Sequence, residues 1–75
     1  MINGLQCLMA RAALGWRRRE LAEASGIGTA TLQRFEVGRV TKTDTIEKVE
    51  RAFTIGGIEF SSSPGRVCVC LKMEL

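Results

Sequence analysis

The sequence contains no histidine, which removes the side chain most often used as a general base near neutral pH. Its three cysteines, Cys7, Cys68 and Cys70, are too few for a four-ligand zinc site without histidine. No residue pattern resembles an activated nucleophile. We therefore expect a protein that is not an enzyme and that has no metal site and no cofactor.

Long hydrophobic runs are also missing. Asn3, Gln6 and Arg11 interrupt the apolar N-terminal segment, so it reads neither as a membrane span nor as a signal peptide. The odd number of cysteines, without a secretory context, indicates reduced thiols. These features predict a cytoplasmic protein that does not contact membranes. A chain of 75 residues allows one small core, for which a partner subunit would add stability.

Positive charge is concentrated in the first half of the chain. Residues 1–42 carry seven Lys or Arg and three Glu, a net charge of +4, whereas residues 43–75 carry four basic and five acidic residues, a net charge of −1. A positive field on one half favours a polyanionic partner, although such a charge run can also be an ordinary solvated surface.

Apolar spacing predicts three short helices in the first 36 residues. Asn3, with Gln6 three residues later, can form a capping box for the first helix, and Gly15 ends it. A second helix is expected over 18–24, closed by Gly26, and a third over 29–36. Between them lies a tight glycine turn.

A fourth helix and a hairpin are predicted for the rest. Asp44 and Glu47 form a capping pair for the helix, which ends at Gly56 and Gly57. From residue 58 the apolar period becomes two, and a turn-forming stretch, Ser61 to Gly65, separates two strands. The predicted fold is mostly α: four helices over residues 1–57, followed by a C-terminal β-hairpin over residues 58–75.

The stretch GWRRRELAEASGIGTATLQRFEVGR resembles the Cro/C1-type helix-turn-helix of phage repressors and their bacterial relatives, and the likeness extends over about residues 5–55. It implies a λ-repressor-like DNA-binding domain whose third helix enters the major groove, in a dimer that reads two half-sites. Without this resemblance, the same residues would also fit a plain helical hairpin.

The resemblance assigns DNA contacts to individual residues. Those matching its base-contacting positions are Thr29, Ala30 and Arg34, with Gln33 beside them. Arginine can bond guanine through two parallel hydrogen bonds, glutamine can bond adenine, and a methyl group suits thymine. A solvated helix face is the alternative for Gln33 and Arg34. The expected DNA-backbone contacts are Arg17, Arg18, Arg19, Gly28, Thr31, Arg39 and Lys42.

Two positions depart from the family pattern. Arg17 and Gly28 stand where the family usually has a Ser or Thr helix cap. A cation at a helix N-terminus opposes the macrodipole, at a cost of about 0.3–1 kcal/mol. A DNA phosphate bound at the N-terminus of the second helix would explain the three arginines at positions 17–19. Gly28 would allow the backbone at the start of the third helix to approach DNA closely.

The resemblance also implies a structural ion pair between Arg11 and Glu36, joining the first helix to the end of the third. The hairpin lies outside the shared motif and is the expected dimer contact, through an open strand edge and an apolar face. That face contains Ile58, Phe60, Val67, Val69 and Leu71. The alternative is that these residues cover only the protein's own core.

The function expected from the sequence is a dimeric, sequence-specific regulator of transcription, a repressor or an activator, bound to double-stranded DNA at an inverted repeat. The alternative is a protein-binding antitoxin or antiactivator on the same fold, whose main partner is another protein. The arginine cluster together with Arg34 favours DNA, because a purely protein-binding descendant would not need it.

Overall fold

A computed structural model describes residues 1–39 and 42–73, so the last two residues of the predicted hairpin segment lie outside the described part. Four helices precede a two-stranded antiparallel sheet, which confirms the predicted fold class. Their bounds are α1 Gly4–Leu14, α2 Arg18–Ser25, α3 Thr29–Glu36, α4 Thr43–Ile55, β1 Ile58–Ser63 and β2 Arg66–Leu71. Among the described helices, none is long and apolar enough to cross a membrane.

The helix ends follow the predicted capping at α1 and differ from it at α4. The Asn3 side chain accepts a hydrogen bond from the Gln6 amide, and Gln6 Oε1 accepts one from the Asn3 amide, which completes the capping box. The prediction for Asp44 was wrong: α4 begins at Thr43, and the N-cap position is occupied by Lys42, two residues before Asp44. The Asp44 side chain instead accepts a hydrogen bond from the Thr45 amide. Its negative charge lies in the first helical turn, where it interacts favourably with the helix dipole.

One core joins the helices and the hairpin. Phe53 of α4 lies at its centre, between the stacked ring of Trp16 and the edge-on ring of Phe60, with ring centroids 5.7 and 5.9 Å away. The remaining buried apolar residues come from the segment before α1, all four helices and the first strand: Ile2, Cys7, Ala10, Leu21, Leu32, Phe35, Ile46, Val49, Ala52 and Ile58. The hairpin therefore shares one core with the four helices.

The hairpin lies across α1 and α4, with β2 against α1 and β1 against α4. Its register pairs Ile58 with Leu71 and Phe60 with Val69, so that the apolar side chains of both strands share one face. Gln6 of α1 anchors this face, because its Nε2 donates to the carbonyl oxygens of Ser61 and Cys68 at 3.3 and 3.4 Å.

Gly4 fixes the contact between α1 and the end of α3. A Cβ atom added there would stand 2.2 Å from the Phe35 carbonyl oxygen and 2.9 Å from that of Glu36. Both obstacles are backbone atoms, which cannot rotate away. The close approach of the two helices therefore requires glycine.

We expect Gly4→Ala to lower the free energy of unfolding by about 1–3 kcal/mol, because α1 and α3 must move apart to admit the methyl group. Thermal unfolding followed by circular dichroism measures this. Gly28→Ala is the matched control, since apart from its two chain neighbours no described residue has an atom within 4 Å of a Cβ at Gly28. Equal stability of both variants would contradict the close approach.

Candidate nucleic-acid interface

Helices α2 and α3 are joined by a three-residue turn whose backbone conformation is fixed by local hydrogen bonds and a glycine. Gly26 ends α2 in the left-handed conformation, with φ 74°. The Ser25 hydroxyl donates to the Leu21 carbonyl oxygen at 2.7 Å and accepts from the Ile27 amide at 3.2 Å. These bonds define the start of the turn, and therefore the direction in which α3 leaves it.

Two faces of α3 have opposite character. Leu32, Phe35 and Glu36 are buried, and they attach the helix to the core. The four predicted base-contacting residues are exposed and follow one another at helical spacing on the other face: Thr29, Ala30, Gln33 and Arg34. Arg34 Nη2 also donates to Thr31 Oγ1 at 3.3 Å, a contact that orients the guanidinium along the helix. The structure thus presents this polar face as one surface.

The predicted backbone-contacting residues lie around the ends of α2, α3 and α4. Arg17 and Arg19 are exposed at the start of α2, and Arg39 and Lys42 are exposed between α3 and α4. Gly28, at the N-cap of α3, is exposed, and Thr31 is half-buried.

The N-terminus of α2 has only half of a capping box. The Arg17 amide donates to Glu20 Oε1 at 3.4 Å, but a guanidinium has no acceptor atom and cannot return the bond. The other carboxylate oxygen of Glu20 is buried and has no hydrogen-bond partner among the described residues. The first turn of α2 is therefore stabilised less than a helix with a Ser or Thr cap.

Arg11 and Glu36 lie together in a larger buried cluster. Arg11 Nε and Nη2 donate to the two carboxylate oxygens of Glu36 at 2.6 and 3.1 Å, and Arg11 Nη1 donates to the Trp16 carbonyl oxygen. The Glu36 side chain is 1% exposed. The Arg11–Glu36 pair therefore joins α1, the loop after α1 and the C-terminal end of α3.

Two further donors of this cluster escaped the sequence analysis. Arg18 Nε donates to Glu36 Oε1 at 2.7 Å, and the Cys7 thiol donates to Glu36 Oε2 at 3.2 Å. Cys7 precedes Arg11 by four residues, so helical spacing alone places both on one face of α1. No such spacing relates Arg18 to Glu36, because the contact depends on how α2 crosses α3.

The cluster shifts the ionisation of its members. Burial alone would raise the pKa of Glu36, but hydrogen bonds from Arg11, Arg18 and Cys7 outweigh it and lower that pKa. The pKa of the Cys7 thiol is raised, first by burial and then by its bond to the carboxylate. The hydrogen bond to Glu36 also raises the pKa of Arg11. At neutral pH the cluster thus consists of a carboxylate, two guanidinium groups and a neutral thiol.

The residues predicted as a dimer contact serve mainly the protein's own core. Ile58 is 1% exposed, and Phe60, Val69 and Leu71 pack against the core cluster. Ile58 lies inside the core of the single chain, and its role in a dimer contact stays a prediction. Phe60, Val67, Val69 and Leu71 are half-buried, and a dimer contact through them or through the strand edges stays a prediction.

Comparison with known proteins agrees with this geometry. The model of the helix-turn-helix family matches residues 9–60, which contain all of α2, α3 and α4. Searches of curated proteins and of solved structures gave no match. The family match covers more than half of the chain, including the turn and the exposed face of α3. This protein therefore belongs to the Cro/C1-type helix-turn-helix family of DNA-binding transcriptional regulators.

Proposed function

We propose that this protein regulates transcription as a dimer bound to an inverted-repeat operator, with α3 of each copy in the major groove. The observation that carries the proposal is the exposed face of α3, where Thr29, Ala30, Gln33 and Arg34 stand free of the core. Helical side chains of this kind read base edges in the major groove.

The chemistry of that face suits a mixed base sequence. Arg34 can donate two parallel hydrogen bonds to guanine O6 and N7, and Gln33 can bond adenine at the neighbouring step. The methyl groups of Thr29 and Ala30 suit thymine. Each good bidentate contact contributes about 1–3 kcal/mol of discrimination.

Phosphate contacts would orient α3 in the groove. Arg17, Arg19, Arg39 and Lys42 are exposed cations next to the recognition unit. Arg18 uses its Nε on Glu36, and its side chain keeps 39% of its surface exposed, so its terminal amino groups can still reach a phosphate. Arg18 would then link a DNA phosphate to the carboxylate that fixes the end of α3.

A single copy makes too few base contacts to select a site in a genome, which is the reason for proposing a dimer. Two copies related by a two-fold axis place their recognition helices about 34 Å apart, one turn of B-DNA. The operator is therefore expected to be an inverted repeat with half-site centres about 10 base pairs apart.

A mobility-shift assay with the DNA upstream of the protein's own gene tests the proposal. Specific binding predicts retardation that an excess of unrelated DNA does not remove. If no DNA fragment competes better than random DNA, the proposal of sequence-specific DNA binding is wrong. The alternative hypothesis, that the main partner is another protein, is then favoured.

Salt dependence tests the phosphate contacts separately. We expect log K to fall linearly with log salt concentration, with a slope that decreases by about 0.9 for each phosphate contact removed. In a dimer, Arg19→Ala removes two contacts, so the slope should fall by about 1.8. Arg51→Ala, which removes an exposed arginine on α4 outside the proposed DNA contact, is the matched control. Equal slopes for the wild type and Arg19→Ala would exclude Arg19 from the DNA contact.

A further inference from the structure

Helix α1 has the reverse of the usual amphipathic arrangement, because apolar side chains lie on its exposed side. Within the described range Gly4–Leu14, its polar residues Gln6 and Arg11 point inward, and its outward side carries no charge. Leu5 is 56% exposed, Leu8 38% and Met9 37%. With Ala12 and Ala13, which are also exposed, these residues form one continuous apolar arc at 3.6 residues per turn. We call this arc the α1 outer face.

The helix cannot rotate to bury this face. Arg11 bonds Glu36 on one side, and Gln6 bonds the hairpin on the other. Gly4 also holds α1 against the α3 backbone, where no side chain fits. An apolar stripe held outward by three fixed contacts is uncommon on a monomeric protein, and such stripes usually mark a contact site.

The free edge of β2 is the hairpin edge on the α1 side of the molecule. Strand β2 packs on α1, whereas β1 packs on α4, so the outer edge of β2 is on the α1 side of the molecule. The Lys72 amide donates to the Gly57 carbonyl oxygen at 2.8 Å, which makes 57 and 72 a hydrogen-bonded pair. Because such pairs alternate along an antiparallel ladder, Val67, Val69 and Leu71 direct their amide and carbonyl groups outward.

This edge has few of the features that keep strand edges unpaired. Its sequence, RVCVCL, contains no proline and only one charge, Arg66, at its beginning. The β1 edge carries Glu59 and three serines and is followed by Pro64. Among the described strands, β2 therefore has the edge better suited to pair with another strand.

We infer that the α1 outer face and the β2 edge together form the interface with a second copy of this chain. Around a two-fold axis, β2 pairs antiparallel with its counterpart, and the two hairpins become a four-stranded sheet. The paired strands lie about 4.8 Å apart, and in this dimer the two α1 outer faces pack on each other at the spacing of about 8–10 Å typical of helix pairs. This inference rests on the dimer of the proposed function and specifies where the copies meet.

Charge and area both favour a second copy. A membrane-bound helix has basic residues along its polar side, but the basic residue of α1 is held inside by Glu36. An interface of standard size takes about 800 Å² from each partner. That is about a sixth of the 5131 Å² that this chain exposes. The outward side of an 11-residue helix alone falls short of this area, so the strand edge is needed as well.

Sedimentation equilibrium of the full chain tests the helix contact. Leu5→Glu places a charge on the α1 outer face at a residue outside the core, in the first helical turn, where an acidic group favours the dipole. Since the change occurs twice in a symmetric dimer, we expect the dimer dissociation constant to rise by at least about tenfold. Ile55→Glu, at a site on α4 that is 80% exposed, is the matched control and should dimerise like the wild type.

Thiol cross-linking tests the strand contact. If Val69 lies on the two-fold axis, Cys68 of each copy faces Cys70 of the other in a non-hydrogen-bonded pair, with Cα atoms about 4.5 Å apart. A short bis-alkylating reagent should then join the two chains, and Cys68→Ser or Cys70→Ser should each abolish the cross-linked dimer. Cys7 is fully buried and should not take part.

The outcomes separate this inference from the proposed function. A wild-type chain that is monomeric at all concentrations, or a Leu5→Glu dimer as tight as the wild type, overturns the α1 contact. A dimer that gives no cross-link overturns the strand contact. If the wild type dimerises as described but binds no DNA specifically, the interface stands and the DNA-binding proposal fails. If vesicles of anionic lipid, but not a second copy, occupy the α1 outer face, the inference is wrong.

Discussion

Glu36→Gln should lower the free energy of unfolding by about 3–5 kcal/mol, because it leaves buried positive charge without its counter-charge. The glutamine amide keeps only one oxygen that can accept from Arg11, and the Arg11 side chain is only 17% exposed. In a domain of this size, 1 kcal/mol corresponds to a shift of about 4–8 °C, so the melting temperature should fall by more than about 12 °C. Thermal unfolding by circular dichroism measures this. Weak DNA binding should persist below the new midpoint.

Two variants show whether the effect comes from the buried charge. Glu47→Gln removes an exposed carboxylate on α4 and should change the melting temperature little. Replacing both partners, with Arg11→Met and Glu36→Leu in one chain, should recover part of the loss, because no guanidinium is then left buried at position 11. A melting temperature for Glu36→Gln equal to that of the wild type would show that the cluster does not stabilise the fold.

The same carboxylate should make stability depend on acid pH. The hydrogen bonds that lower the pKa of Glu36 favour its charged form in the folded protein. Its contribution to stability is therefore present above the ordinary value of 4.5 and is lost as the pH falls through the lower folded value. The melting temperature of the wild type should drop below that pH more steeply than that of Glu36→Gln.

Arg34→Ala should have the largest effect on operator binding. Loss of one bidentate guanine contact costs about 1–3 kcal/mol, and a dimer loses two. Affinity for the operator should fall by about thirtyfold or more, whereas affinity for random DNA should change only by the loss of charge. The ratio of the two affinities, measured by mobility shift at one salt concentration, is the decisive quantity.

Arg51→Ala is the matched control, since Arg51 is an exposed arginine on α4. It removes the same charge and should leave the ratio of operator to random affinity unchanged. If Arg34→Ala weakens both DNAs equally, Arg34 contacts phosphate. In that case base reading must come from Gln33 and the residues at the start of α3.

Local sequence determined most of the secondary structure. The Asn3 and Gln6 capping box, the left-handed Gly26 and the change of apolar period at Ile58 each act within a few residues, so pattern alone located these elements. The bounds of α3, Thr29–Glu36, were predicted correctly for the same reason. Asp44 failed because capping residues also occur inside the first turn, and the sequence does not distinguish the two positions.

The sequence by itself also determined the family, because the spacing of the two helices and their turn is a local signature. The family pattern in turn indicated which residues of α3 are exposed. Only the tertiary structure decided which partners Arg18, Cys7 and Ile58 have. Arg18 meets Glu36 across 18 residues, and Gln6 meets Cys68 across 62, through helix crossings that no short-range pattern encodes. The outward direction of Leu5 and Met9 was likewise decided there. In α1 the hydrogen-bonding needs of Gln6 and Arg11, together with the close packing at Gly4, determine which side is buried.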